Sequence, residues 1–354
     1  MAGMTDSDLI RALLDWFAAE GRDLPWRDAP AGERDPYRVL VSELMLQQTQ
    51  TARVVERFGA FIARFPTVAT LADADEAEVL AAWSGLGYYR RARLLHAVAR
   101  RVVEHHAGEI PRDPAALLGL PGVGRYTAGA VASIAFGLPE PIVDGNVARV
   151  LLRVGGRDGP PTDPSTTRWV WARARELVET STRPGVFNES LMELGATVCT
   201  PRCPRCGVCP IARFCEARRL GRQDEIPPPK PRTKQQPLYI AAVLAIDPKG
   251  RRLVERRPDN GLWAGLWQPP SIERPDRFST RDEIADTLGL NIETEQPIDR
   301  FSHQTTHRDV RFEVWNARRG RAGNGRCWRS KRQIESLALG TPQRRILIDT
   351  ADRS

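Results

Sequence analysis

Five of the six cysteines in this 354-residue chain fall between positions 199 and 215, in CTPRCPRCGVCPIARFC. Cysteines so dense, in a chain whose opening MAGMTDSDLI has no basic segment followed by an apolar one, favour metal or cluster ligation over disulfides. Cys199, Cys206, Cys209 and Cys215 form C-x6-C-x2-C-x5-C. Four soft thiolates on short loops suit a cubane [4Fe-4S] cluster, with a four-cysteine zinc site as the alternative. Cys203 reads as a bystander inside the first spacing, and Cys327 as a residue packed elsewhere in the fold. Arg202, Arg205 and Arg213 would leave a basic surface beside the thiolates.

Two carboxylates are candidates for acid–base work. Glu43, in SELMLQQTQ, is flanked by Leu40, Val41, Leu44 and Leu46, so it emerges from an apolar helix. A helical glutamate is ordinarily solvated, but these neighbours favour partial burial, which would raise its pKa and keep a proton available near neutrality. Asp144, in VDGNVARV, reads by itself as a turn residue or helix cap.

Between helical stretches lies LPGVGRYTAG, residues 120 to 129. With the first helix ending at Leu120, Pro121 and Gly122 reverse the chain, and Gly124 allows a close backbone approach. The backbone N–H groups of Gly122, Val123 and Gly124 then face a helix N-terminus, where they can hold an anion. A ligand-free helix connection would use the same residues. The net charge of +8 and runs such as YYRRARLL and HAVARRVVEHH favour a polyanion, so that the anion would be a nucleic-acid phosphate.

Apolar residues recur at helical spacing from Asp6 to about Leu220, with Asp, Ser or Thr marking the starts. SGLGYYR, residues 84 to 90, is a second glycine turn. GRQDEIPPPKPRTKQQP, residues 221 to 237, reads as a linker without buried apolar surface. Beyond it, residues 238 to 354 form an α+β domain: LYIAAVLAI, RRLVERR and DVRFEVWNA read as strands and RDEIADTLG as a helix. No apolar run approaches the roughly 20 residues of a membrane span, so a soluble, cytosolic protein is expected.

The hairpin, the cysteine spacing and SELMLQQTQT together resemble the endonuclease III superfamily of helix-hairpin-helix DNA glycosylases, over about residues 10 to 220. Within that superfamily the chain is most similar to the MutY-type adenine glycosylases. The resemblance implies an all-α N-terminal region, a six-helix barrel with a [4Fe-4S] cluster domain, in residues 6 to 220. It also implies base excision repair on double-stranded DNA, removing adenine mispaired with 8-oxoguanine or guanine and leaving an abasic site. Glu43 would protonate nitrogen 7 of adenine, Asp144 would stabilise or transiently capture the sugar cation, and Tyr126 and Asn146 would orient them. Two carboxylates in different environments are what glycosidic cleavage asks for. Gln48 and Tyr88 would be wedge residues that help swing the base out of the duplex.

Bifunctional members place a lysine after the hairpin glycines to attack the sugar; here Tyr126 stands there, and a monofunctional enzyme is expected. The C-terminal domain resembles the Nudix fold, but RDEIADTLGL lacks the REXXEE acids that hold magnesium, so pyrophosphohydrolysis is not expected. The resemblance implies that Phe301, Ser302 and His303 form a loop meeting 8-oxoguanine, with Ser302 as its hydrogen-bonding partner. The expected partner is DNA, the expected state a monomer. A thymine-mismatch or bifunctional pyrimidine glycosylase and a catalytically idle damage-binding module are the other readings; Tyr126 and the Nudix-like domain weigh against the former, the two carboxylates against the latter.

Overall fold

The computed structural model describes residues 5–229, 235–317 and 325–352. Its helices are α1 (Asp6–Glu20), α2 (Pro36–Leu46), α3 (Thr51–Arg64), α4 (Val68–Ala72), α5 (Glu76–Ala82), α6 (Arg90–His105), α7 (Pro114–Leu118), α8 (Arg125–Ala130), α9 (Gly145–Val154), α10 (Pro164–Thr180), α11 (Pro184–Thr197), α12 (Glu216–Arg219), α13 (Arg281–Leu288), α14 (Lys331–Glu335) and α15 (Thr341–Arg344). The strands are β1 (Gln236–Ala245), β2 (Arg252–Arg256), β3 (Trp267–Gln268), β4 (Ser271–Arg274), β5 (Asp299–Gln304), β6 (Arg308–Ala317) and β7 (Arg326–Arg329). Among the described residues no helix is long and apolar enough to cross a membrane.

The chain forms two compact units, Met1–Ala74 with Arg90–Lys230, and Asp75–Tyr89 with Pro231–Ser354. In the first, Thr5, Asp35, Thr67, Asp113, Asp144 and Asp163 each accept a first-turn backbone N–H, so local sequence starts the helices. Leu13, Leu152, Leu177 and Leu194, from α1, α9, α10 and α11, meet fully buried in one core. Helices α9 and α11 approach closely because residue 195 is glycine: a Cβ there would stand 2.6 Å from that of Asn146.

The helix before the turn ends at Leu118, capped by Gly119, two residues earlier than its apolar pattern implies, and Leu120 is buried beneath the turn. Gly122 takes a left-handed φ of 71°, which a side chain would resist. Residues 221 to 229, expected as free linker, are not stripped of apolar contacts. Ile226 is fully buried in the helical core, and its carbonyl accepts from Arg153 Nε at 2.7 Å. Of the rest of that segment, 230 to 234 lie outside the described residues, and Gln236 and Pro237 already belong to β1, so the second domain begins before the expected residue 238.

In the second unit a four-stranded sheet runs β4-β1-β6-β5 and a three-stranded sheet β3-β2-β7; β1 and β6 pair in parallel, and the other pairings are antiparallel. Alternation along β1 sends Ala241, Val243 and Ala245 toward α13, and Ile240, Ala242 and Leu244 into a second core with Phe312 and Ile346. Residues 75 to 89 belong here through hydrogen bonds. Tyr89 Oη donates to the Leu339 carbonyl at 2.6 Å, and the Tyr88 hydroxyl lies 3.1 Å from that of Thr306.

Candidate active site

A cavity of about 660 Å³ opens in the helical unit, lined by residues of α2, α8, α9 and α11, among them Glu43, Tyr126, Asp144 and Asn146. Four residues from positions 43 to 146 thus face one space. Glu43 is carried by the buried face of α2 and is only 5% exposed. Burial lifts its pKa from 4.5 to about 7, against the opposing hydrogen bond from Tyr126. Tyr126 Oη donates to Glu43 Oε2 at 2.6 Å. Burial and then the neighbouring carboxylates push the Tyr126 phenol far above its ordinary range, so it remains a donor.

Asp144 is the N-cap of α9, and its Oδ1 accepts from the Val147 N–H at 2.7 Å. Asn146 Nδ2 donates to Asp144 Oδ2 at 3.1 Å, and Arg149 donates to Asn146 Oδ1 at 2.8 Å. Capping and cavity-facing roles therefore coexist. Burial raises the Asp144 pKa, while these donors and Arg149 pull it back.

Sequence patterns did not single out the charged wall of the cavity. Glu189 and Glu193, four residues apart on α11, are almost wholly buried and paired with arginines from the start of the chain. Glu189 accepts from Arg27 at 3.0 Å and Arg34 at 2.7 Å, and Glu193 accepts from Arg22 and, at 3.0 Å, from Arg27. Glu189 Oε2 is buried without a hydrogen-bond partner. The one signal available was two glutamates at helical spacing in the apolar run ESLMEL.

At the hairpin, the Val123 N–H is taken by the Leu120 carbonyl at 3.1 Å, which corrects the expectation of three open amides. Gly124 is the N-cap of α8, and both Gly122 and Gly124 line the cavity. Gln48, at the cavity rim, is exposed and holds a left-handed φ of 54°; Tyr88, in the other unit, is 49% exposed with φ 47°. Non-glycine residues held in this region mark sites where the surroundings over-determine the backbone.

Phe301, Ser302 and His303 lie within strand β5, not in a loop: Phe301 pairs with Phe312, Ser302 with Arg311 and His303 with Val310. The pairing with β6 extends through Gln304, so the turn falls at Thr305 to His307. Strand alternation leaves Ser302 exposed while Phe301 stacks on Phe312 and His303 meets Trp263.

Cys199, Cys206, Cys209 and Cys215 border a common hollow of about 20 Å³, from which Cys203, exposed with φ 49°, is absent. Arg153 Nη1 stands 3.3 Å from Cys199 Sγ, and burial, then the other three sulfurs, push the Cys209 thiol up to about 12. Among the described residues no group of three or more His, Cys, Asp or Glu side chains is arranged to hold a metal ion. The set is nonetheless four soft sulfurs around one space, the donor type that a soft metal or cluster takes.

Residues 41–176 match the HhH-GPD superfamily of base excision DNA repair proteins, and residues 241–349 match the NUDIX domain. The chain is 35% identical to the adenine DNA glycosylase of Homo sapiens over 396 residues, covering 95% of this chain and 72% of that protein. The chain belongs to the adenine DNA glycosylase family. To the member from Mycolicibacterium smegmatis it is 46% identical over 209 residues, covering 59% of this chain and 69% of the relative. Among solved structures it is similar to a thermostable thymine-DNA glycosylase, with a TM-score of 0.54 and 29% identity, covering 61% of this chain and 97% of the other. For a member of this family, the two-domain match accounts for both the helical unit that holds the cavity and the mixed sheets that follow it.

Proposed function

We propose that the protein hydrolyses the N-glycosidic bond of adenine mispaired with 8-oxoguanine or guanine in double-stranded DNA, acting as a monomer and leaving an abasic site. The observation that carries this reading is a carboxyl group with a pKa of about 7, hydrogen-bonded to a phenol in a cavity that also holds Asp144. Protonated Glu43 gives its proton to nitrogen 7 of the flipped adenine. The bond from the sugar C1′ to nitrogen 9 then breaks, its electron pair leaving with the base. Ionised Asp144, held by the Val147 N–H and Asn146, stabilises or captures the sugar cation until water completes the abasic sugar. Tyr126 and Asn146 orient the two acids. The open acceptor Glu189 Oε2 suits the exocyclic amine that distinguishes adenine from an oxygen-bearing purine.

On the DNA side, amides of Gly122 and Gly124 receive phosphate and Gln48 fills the space beside the extruded base; Tyr88, in the other unit, inserts into the base stack. Ser302, the exposed member of its strand triplet, contacts 8-oxoguanine, with Phe301 and His303 packing behind it. Cys199, Cys206, Cys209 and Cys215 would hold a [4Fe-4S] cluster, for which four soft thiolates on short loops are the donor set. When bound, it ties the loop of Arg202, Arg205 and Arg213 to the helical core.

The test is a duplex with one adenine opposite 8-oxoguanine, assayed for free adenine and for borohydride-trapped protein. Adenine release without a covalent band supports a monofunctional glycosylase; a strong band at the rate of base release would sink that assignment, because Tyr126 cannot form a Schiff base.

A further inference from the structure

Arg91, near the start of α6, is 7% exposed and donates hydrogen bonds to the end of α2 and the turn behind it. Its Nη1 donates to the carbonyls of Leu44 at 2.6 Å and Met45 at 2.8 Å, and its Nη2 donates to Thr49 Oγ1 at 2.9 Å. The Thr49 hydroxyl in turn lies 3.4 Å from the Gln47 carbonyl, and the Thr49 N–H donates to the Leu46 carbonyl at 3.2 Å. Gln48, left-handed at φ 54°, is therefore bracketed on both sides. On one side Gln47 is fixed by its own amide, which donates to Thr127 Oγ1 at 3.3 Å; on the other, Thr49 is fixed by Arg91.

A helix C-terminus leaves carbonyls without intrahelical partners, and a buried cation bonded to two of them compensates charge as well as geometry. A guanidinium does this in two directions at once because its donors form a rigid planar fork; an ammonium on a flexible stem does not. Arg91 and Thr127, both outside the turn, thus help to hold it. Glycine, the residue that would adopt this backbone without strain, is absent from the LQQTQT run.

We infer that Arg91 is the positioning residue for base discrimination at Gln48: it fixes the left-handed turn that presents the Gln48 amide at the cavity rim, and so sets how well the protein distinguishes the base opposite the target adenine. This rests on the reading of Gln48, under the proposed function, as a DNA-contacting residue beside the extruded base, and extends that contact to the base left unpaired across the duplex, next to the contact made by Ser302. Arg91 touches no substrate itself. Its effect is transmitted through Thr49 and the α2 carbonyls.

The experiment measures dissociation constants of the full chain for duplexes carrying non-hydrolysable 2′-fluoro-adenosine opposite 8-oxoguanine, guanine or cytosine, and for a fully paired duplex. Variants are Arg91→Lys, which keeps the charge and loses the fork, and Thr49→Val, which removes one acceptor without stranding a buried charge. Both are expected to shrink the discrimination ratio, by about tenfold for Arg91→Lys, and to leave affinity for the paired duplex unchanged, because phosphate contacts set it. An unchanged ratio in Thr49→Val and Arg91→Lys, a ratio that falls only in step with paired-duplex affinity, or a wild type without discrimination overturns the assignment. A wild type that discriminates by binding but releases no adenine from an ordinary substrate instead overturns the proposed glycosylase activity and leaves the role of Arg91 standing.

Discussion

The Tyr126 hydroxyl donates to Glu43 Oε2 at 2.6 Å, placing the phenol where a lyase would carry an amine in contact with the acid that needs a proton. This bond favours the ionised carboxylate and so opposes the burial that raises its pKa. Tyr126→Phe is expected to move the alkaline limb of the pH–rate profile upward and to lower the maximal rate roughly tenfold. An alkaline limb that stays put or moves downward would show that the hydrogen bond does not tune Glu43.

Glu43 also makes stability depend on pH. Burial raises its pKa from 4.5 to about 7, so the native state holds the proton more tightly than the unfolded chain. The stabilisation is complete below the unfolded pKa and is lost as pH rises through the folded one, a swing of about 3 kcal/mol. Glu43→Gln does not titrate. Its unfolding free energy relative to wild type should rise by about 3 kcal/mol from about pH 4 to about pH 8 in denaturant titrations; a difference that stays flat across that window contradicts the burial of an ionisable group.

The limits of legibility follow from distance. The burial of Glu43 is legible because its own helix surrounds it with leucines; Asp144 beside glycine is legible locally only as a cap, and its place in the site follows from the resemblance. The arginine wall is not legible: Arg27 and Arg34 meet Glu189 across more than 150 residues, and nothing local marks a paired charge. Ile226 was hidden for a related reason, since its prolines and charges describe a linker while one isoleucine finds a core pocket. The loop expected at Ser302 comes from the resemblance alone; FSHQTTH has no strong strand pattern of its own, and the six-residue pairing of β5 with β6 makes it a strand.

Glycine 195 tests how the two helices set the aspartate. Gly195→Ala would place a Cβ 2.6 Å from Asn146 Cβ and 3.1 Å from its backbone, where neither can yield without moving α9. The expected cost is about 1–3 kcal/mol of stability, with a larger loss in base release than in DNA affinity, because Asn146 orients Asp144. Crystal structures or unfolding curves indistinguishable from wild type would show that the helix contact is looser than its geometry implies.

Single serine replacements sort the cysteines. Cys199→Ser, Cys206→Ser, Cys209→Ser and Cys215→Ser should each reduce the iron content and the broad visible absorption of an iron–sulfur site, whereas Cys203→Ser should retain both. Zinc without iron in the purified protein, or loss of iron in Cys203→Ser alone, would contradict the four-ligand assignment.

The most direct measurement is single-turnover release of adenine from a duplex bearing one adenine opposite 8-oxoguanine, by wild type and by Glu43→Gln, with duplex affinity measured alongside. Wild type should release the base, and the variant should lose a factor of roughly 100 to 10,000 in rate while still binding the duplex. Release by Glu43→Gln at the wild-type rate, or no release by a wild type that binds, would contradict the account.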